Sequence, residues 1–302
     1  LLFTTNFLTD IFPDTRGAVK DNLPIKEVTI NSKESTNKAL FIPVERSQAG
    51  KEEALEEAFY NGAIAAIWEK EYPLPRFIPT DFPIYYVPNT REALHDLAIH
   101  FLNLVRPITI VFVGKDDLKT KELTVSLLNE TYRVHSTSRI TGNDELLTNI
   151  LTMPKATEVF CLDVAVDYLL ELSSLSKLGI DLVVMTDFGQ IENNYHSAVN
   201  EFAQTSVELL SNIKQNGKGI IDGDLVVFNG LNYNDIIVSI GFDPVNRIHI
   251  ECDLNKLLMR ESSGVKQYKI PEGYGPKQVA FAIKIANHFQ LEEDQIYNFL
   301  YR

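Results

Sequence analysis

Cysteine is scarce in this sequence, with only Cys161 and Cys252 among 302 residues. Two thiols cannot build a disulfide framework, nor a zinc site alone, and the expectation is a reducing, cytoplasmic setting. Basic charge is also short: 28 Lys and Arg stand against 41 Asp and Glu, leaving −13. No local basic face offsets that balance, which argues against nucleic acid or an anionic membrane as partner. There is no apolar run of about 18 residues, so no membrane span is expected. The first ten residues lack the basic n-region and small-residue cleavage site of a secretory signal. Internal repeats and low-complexity tracts are missing too. What remains is ordinary globular material, 45% hydrophobic and 23% charged, long enough for two domains that each carry a core.

Strand-like and helical patterns alternate along the chain, which predicts βαβ units and a mainly parallel sheet. Up to residue 105, strands are expected at Ile25–Ile30, Ala39–Val44, Ala63–Trp68 and Ile84–Val87. Pro43 marks an edge or an end. Helices are expected at Leu8–Phe12, Glu52–Asn61 and from Asn89 to Leu104, with Asn89 as cap and Leu94, Leu97 and Phe101 as the inward stripe. From 106 onward the strand candidates are Ile108–Val113, the region of Val134, Glu158–Leu162, Leu182–Thr186, Gly219–Ile221, Leu225–Phe228 and Ile236–Ile240. Ile248–Asp253 and Val265–Ile270 have hairpin-like spacing and suggest an antiparallel flank. Helical patterns cover Tyr168–Leu178, Ala198–Asn212, Lys277–His288 and Glu292–Leu300. The fold class is therefore α/β. A small N-terminal α/β domain (1–105) precedes a P-loop-type central domain (106–302), whose mainly parallel sheet is expected to carry helices on both faces.

The stretch from Pro107 to Leu128 is the most informative. A buried β-branched and aromatic strand ends at Gly114, and leucines at helical spacing follow from Lys121. Strand, glycine turn and helix form the frame in which backbone N–H groups and a helix N-terminus hold phosphate. Gly114, Lys119 and Thr120 are the candidate phosphate-loop residues. The glycine that should precede the lysine is missing, and Asp116 and Asp117 occupy the turn. A carboxylate about 4 Å from a phosphate charge opposes it by roughly 4 kcal/mol at an effective dielectric of about 20.

The order of segments resembles the Mur ligase family, closest to the branch that adds D-Ala-D-Ala to the UDP-muramoyl tripeptide (MurF). Thr29-Ile-Asn-Ser-Lys through Phe41 is similar to the family's "D-S-R-x-x-x-x-G-D-L-F". Ala58-Phe-Tyr-Asn-Gly-Ala-Ile-Ala resembles its "A-x-x-x-G-A-x-A" turn. Leu175 through Thr186-Asp-Phe-Gly189 is similar to its "L-x-x-x-x-x-P-D-x-x-x-I-T-N-I-G". The run from Gly275 to Leu300 resembles the helix pair that closes the family's central domain. Past that point no residues are left for the third, C-terminal ligase domain of the family, so its absence is an expectation.

The resemblance implies ATP and Mg²⁺ as cofactors, amide-bond formation through an acyl phosphate, and a UDP-muramoyl peptide or a protein as partner. Carried over by position, the triphosphate loop "T-G-x-N-G-K-T" falls on Val113 to Thr120, with one residue more between Gly114 and Lys119. Without that gap, Leu118 takes the lysine's place. The magnesium-binding glutamate falls on Asp163, the "E-A-H" on Gln190-Ile-Glu192 with His196 further on, and the carbamylated lysine near Ser206. The adenine-side "H-N" falls on Lys277-Gln278. Asp222-Gly-Asp224 is either the family's "N-x-D-D" nucleotide contact or a strand-connecting turn. Ser32 and Lys33 keep the "S-R" pair that contacts the substrate diphosphate. The family's following loop is shortened to Glu45–Lys51. Three readings stay open: a MurF-type protein without catalysis that acts as a binding or regulatory partner, an ATP-dependent acid–amino-acid ligase whose third domain comes from another chain, and an unrelated α/β module. His95, His100, His249 and His288 lack metal-site spacing, and Tyr85, Tyr86 and Trp68 read as core or interface.

Overall fold

Runs of β-branched and aromatic residues form the strands of two separate units in a computed structural model of the chain. It describes every residue except 1, 46, 115–116, 166–177, 187–205 and 229–235, and the side chain of Asp117. One compact unit comprises Leu1–Arg106 with Asn143–Ala156, the other Pro107–Gly142 with Thr157–Arg302.

In the first unit the strands are β1 (Phe3–Thr4), β2 (Thr15–Arg16), β3 (Pro24–Ile25), β4 (Glu27–Thr29), β5 (Ala39–Phe41), β6 (Ala63–Glu69) and β7 (Ile84–Val87). Among the described residues, β2-β7-β6-β5-β4 make a five-stranded sheet, and β1 and β3 make a small antiparallel pair. The β4 to β7 pairings are parallel and β2 runs antiparallel at the edge. The helices are α1 (Thr5–Ile11), α2 (Gln48–Tyr60) and α3 (Thr90–Val105). Asn89 caps α3 as its sequence position suggests, its side chain accepting from the N–H groups of Arg91 at 2.9 Å and Glu92 at 3.0 Å. Leu94, Leu97 and Phe101 are fully buried along it. Phe41, Leu55, Ala66, Trp68 and Ile84 form the heart of this unit's core.

The second unit holds β8 (Ile108–Val113), α4 (Asp117–Leu128), β9 (Val134–Ile140), β10 (Val159–Val164), β11 (Leu182–Met185), β12 (Lys218–Asp222), β13 (Ile237–Gly241), β14 (Ile248–Asp253), β15 (Lys256–Glu261) and β16 (Gly264–Lys269). Among the described residues they form one sheet in the order β16-β15-β14-β13-β12-β11-β8-β10-β9. It is parallel from β9 to β14, with β15 and β16 added antiparallel. The fold is mixed α/β, with a large, mainly parallel sheet flanked by helices. Near-continuous apolar strands such as Ile110–Val113 and Val183–Met185 are fully buried, as expected where both faces are covered.

Between β9 and β10 lies α5 (Asn143–Thr152), a helix the sequence reading did not anticipate. It carries Asp144 and Glu145 in its first turn and buries Leu146, Leu147, Ile150 and Leu151. It packs against α3 and β4 in the first unit. Two further helices, α6 (Pro276–His288) and α7 (Glu293–Tyr301), close the chain.

Several expectations need correction. Leu225–Phe228 is not a strand. β12 ends at Asp222, whose side chain accepts from the Asp224 N–H at 3.1 Å, and Val226–Phe228 form a 3₁₀ turn. A strand at Lys256–Glu261 went unread between the two strands of the expected hairpin. Helix α4 begins four residues ahead of Lys121. The helix expected at Tyr168–Leu178 lies almost wholly outside the described residues. Of Ala198–Asn212, the described part is helical at 206–211. Replacing Asn89 with Ala removes the α3 cap and should lower stability by about 1 kcal/mol, read from urea unfolding followed by circular dichroism.

Candidate functional site

Ligands in open α/β sheets bind at the carboxyl ends of the strands. In the second unit those ends bring Gly114 after β8, Asp163 in β10, Thr186 after β11 and Asp222 in β12 to one edge of the sheet. Gly114 is buried, and Lys115 and Asp116 lie outside the described residues. Lys119 is the third residue of α4. Its ammonium group is exposed and donates to the Gly273 carbonyl at 2.8 Å. Thr120 is buried, and its carbonyl accepts from the Thr124 hydroxyl at 2.7 Å. Leu118 is 48% exposed, so it does not plug the loop.

Asp163 is fully buried, and both its oxygens are engaged. Oδ2 accepts from Lys121 Nζ at 2.8 Å and Oδ1 from Arg139 Nε at 3.2 Å. Lys121 is itself buried and also donates to the Thr137 carbonyl at 2.8 Å. Strand register places the arginine. From Cys161 to Asp163 is two residues in β10, but the paired positions in β9, Ser136 and Arg139, are three apart. That bulge sets Arg139 directly opposite Asp163. A hard divalent cation takes oxygen ligands, and here it would have to displace one cation and tolerate another. Among the described residues no cluster of His, Cys, Asp and Glu could hold a metal ion. The sequence reading did not single out Lys121. Its signal was a lysine between Thr120 and Leu123, on the helix face that also buries Thr124 and Leu127.

A second ion cluster unites residues that the sequence presented as separate. Lys277 Nζ donates to both oxygens of Asp222 at 2.7 Å and lies 2.8 Å from Asp224 Oδ2. Asp224 Oδ2 also accepts from the Phe242 N–H at 2.9 Å. Its Oδ1 accepts from the Asp243 N–H at 3.0 Å and from Asn246 Nδ2 at 2.9 Å. Burial pushes Asp222 above the usual carboxylate range, against the opposing pull of Lys277. Burial also acts to raise Asp224, but Lys277 and the two backbone donors win and hold it below that range. Lys277 loses to burial and gains more from the two aspartates, so its pKa rises. Gly223 is required at the centre of the turn, because a Cβ there would fall 1.7 Å from Asn246 Oδ1. Asp222-Gly-Asp224 is thus a turn whose carboxylates are filled by Lys277, the residue at the adenine-side position of the resemblance.

Ser206 is fully buried, and its hydroxyl finds no hydrogen-bond partner among the described residues; the Thr186 hydroxyl is in the same position. Glu192 and His196 lie outside the described residues. In the first unit, Ser32 is buried, and its hydroxyl donates to Glu57 Oε2 at 2.6 Å. Lys33 is exposed, and its N–H donates to Asn31 Oδ1 at 3.1 Å. Nearby in sequence, Glu45 and Lys51 border a polar cavity of about 520 Å³ with Glu69, Thr90 and Arg91. Lys51 and Glu69 form a buried ion pair there, and Glu69 Oε1 also accepts from the Thr90 N–H at 3.0 Å. Burial acts to raise the pKa of Glu69, but the hydrogen bonds from Lys51 and Thr90 outweigh it and hold the group below 4.5.

No protein-family model matches the chain. It is 27% identical over 203 residues to the UDP-N-acetylmuramoyl-tripeptide–D-alanyl-D-alanine ligase of Bacillus subtilis, covering 66% of this chain and 44% of that protein. The enzyme of the same name from Buchnera aphidicola is 24% identical over 233 residues, covering 74% and 48%. The chain therefore spans about half the length of these curated relatives. A crystal structure of MurF from Acinetobacter baumannii superposes with a TM-score of 0.73 at 16% identity, covering 99% of this chain and 67% of that one. MurF from Thermotoga maritima in complex with ADP gives 0.68 at 18% identity, covering 90% and 65%. These likenesses bear out the resemblance to the Mur ligase family, closest to MurF, and the fold shared with it.

Two stability measurements probe the site. Lys121→Met leaves Asp163 buried beside Arg139 alone and should cost about 3 kcal/mol, and Lys121→Met with Asp163→Leu should restore most of it. Urea unfolding of the pair decides between an ion pair and simple packing. The lowered pKa of Glu69 contributes stability that is present above its unfolded value of about 4.5 and is lost as pH falls through the folded value. The stability gap between wild type and Glu69→Gln should therefore be full at pH 7 and shrink below pH 4.5 in unfolding curves taken across that range.

Proposed function

We propose that this chain is a MurF-like protein that has given up the ligase reaction and acts as a binding or regulatory partner in cytoplasmic peptidoglycan precursor synthesis. The carrying observation is that the carboxylates at the carboxyl edge are neutralised from within, Asp163 by Lys121 and Arg139, and Asp222 with Asp224 by Lys277. A metal-bound triphosphate needs those positions to meet its cation and its base. To admit magnesium at Asp163, Lys121 would have to leave a buried environment, and breaking such a pair costs about 3–5 kcal/mol. The residues present do not fit the Mg²⁺-ATP that the relatives' chemistry calls for. In this reading Lys119 positions the Gly273 loop instead of a phosphate.

The first unit keeps features that suit recognition. Lys33 presents an exposed ammonium group beside Ser32, although the Ser32 hydroxyl is committed to Glu57. A UDP-muramoyl peptide is therefore the small-molecule partner of this reading, bound without being extended. No helix among the described residues is long and apolar enough to cross a membrane.

Calorimetric titration with Mg-ATP, followed by phosphate release in the presence of UDP-muramoyl tripeptide and D-Ala-D-Ala, tests the proposal. The expected outcome is no turnover and no saturable nucleotide binding at millimolar concentration. Turnover that disappears in Lys119→Ala, alone or with a third domain added from another chain, would overturn it in favour of an active ligase.

A further inference from the structure

The five-stranded sheet of the first unit has a carboxyl edge of its own, and the strand ends there surround the polar cavity of about 520 Å³. Val44 and Glu45 follow β5, Glu69 is the last residue of β6, and Asn89, Thr90 and Arg91 follow β7 and open α3. Lys51 enters from the first turn of α2, and Glu71 and Tyr72 from the turn after β6. The volume is within the range of small-molecule sites, about 300–1,000 Å³, but such sites are usually lined by apolar groups. Here Val44 is the one aliphatic side chain of the lining, and the face of the Tyr72 ring is turned to the Lys51 ammonium group, 5.3 Å from its centroid.

The charged groups of these walls are committed to one another, with one exception. Lys51 pairs with Glu69, whose other oxygen accepts from the N–H and the hydroxyl of Thr90. Arg91 donates to Asp144 and to the Val44 carbonyl. Glu71 accepts from the Tyr72 hydroxyl and so raises its pKa. Glu45 is half-buried, its Oε2 is closed to solvent, and no donor reaches that oxygen. Both cations of the lining are thus matched by acids, and the Glu45 carboxylate is left over. A carboxylate withdrawn from water without a donor is unfavourable, so what the cavity lacks is a positively charged donor.

We propose that this cavity binds a small hydroxylated amine, its ammonium group meeting Glu45 and its hydroxyls taking further N–H donors of Lys51, Arg91 and Asn89. Ammonium and guanidinium groups keep N–H donors beyond the bonds just named, and Asn89 spends only its oxygen on the α3 cap. An apolar amine would leave those donors unmet. A hard metal ion asks for about six to eight oxygen ligands, and among the described residues no cluster of acids could hold one. A phosphate would meet a lining in which carboxylates outnumber cations. Neither Ser32 nor Lys33 lines the cavity, and the inference stands whether or not the first unit takes a UDP-muramoyl peptide.

Calorimetry on the full chain at low ionic strength, with glucamine, N-acetylglucamine, sorbitol and magnesium chloride as probes, tests the assignment. Sorbitol replaces the ammonium group by a hydroxyl, and the N-acetyl compound keeps the nitrogen without its charge. Glucamine should bind saturably and at least about tenfold more tightly than either neutral compound, and Glu45→Gln should weaken it by at least about tenfold. Because Glu45 is unmatched in the free protein, Glu45→Gln should leave the ligand-free melting temperature unchanged or raise it. Glucamine should raise the melting temperature of the wild type and not that of the variant. Equal affinity for glucamine and sorbitol, no saturable binding, or indifference to Glu45→Gln would overturn the proposal. So would magnesium binding more tightly than glucamine, or a Glu45→Gln chain that melts earlier or fails to fold, since Glu45 would then already have a partner within the protein.

Discussion

A buried carboxylate needs a cation, and in the larger unit the chain supplies that cation itself. Taking a charge out of water unpaired costs far more than the chain's marginal stability allows. Asp163 at 0% exposure and Asp222 at 3% can therefore persist only in company. Lys121, Arg139 and Lys277 provide it. Such pairs add little compared with apolar packing of the same volume, but they are expensive to break. They hold the carboxyl edge of the sheet in one state, and the functional reading follows from that commitment.

The pairs depend in turn on backbone geometry. Arg139 reaches Asp163 because β9 gains a residue against β10 between their paired positions. Lys121 reaches it because α4 starts at Asp117 and directs its second turn inward. Lys277 reaches Asp222 and Asp224 because α6 begins at Pro276, so the lysine lies in the first turn of the helix. There its charge opposes the positive end of the helix dipole, and two carboxylates are needed to hold it. Three elements remote in sequence converge on three acids. Each convergence relies on the apolar packing of β8, β10 and β12 against α4 and α6.

The frame was legible in the sequence because its signal is periodic. Strands such as Ile108–Val113 and Ala63–Trp68, and the capped helix after Asn89, declare themselves by spacing and by a single polar residue at the right place. The antiparallel flank was legible from turn spacing, although the strand Lys256–Glu261 was hidden because its apolar part, Leu257 to Met259, is only three residues long between charged ends. The turn at Asp222 misled for the opposite reason. Leu225 to Phe228 has a strand's composition, and the Asp222 side chain folds the backbone into a 3₁₀ turn instead. Individual positions of the site were legible only as likeness to known ligases. That likeness located Asp163, Lys277 and Asp222-Gly-Asp224, but not Lys121 or Arg139 and not the pairing itself, since an ion pair across 42 or 55 residues leaves no local pattern.

Charges and hydroxyls fare differently in this unit. Thr186 and Ser206 are left buried without partners among the described residues. An unsatisfied hydroxyl costs about 1–3 kcal/mol, which a domain of this size can absorb. An unsatisfied carboxylate cannot be absorbed, and Asp163, Asp222 and Asp224 each have a cation of the chain's own within hydrogen-bond reach. A site that waits for a metal and a nucleotide leaves its charges to be met by the ligand. Among the described residues, this edge meets its charges internally, and the groups left unmet are inexpensive hydroxyls. That ranking by cost supports the proposal that folding, in place of a bound cofactor, determines which of these polar groups need a partner.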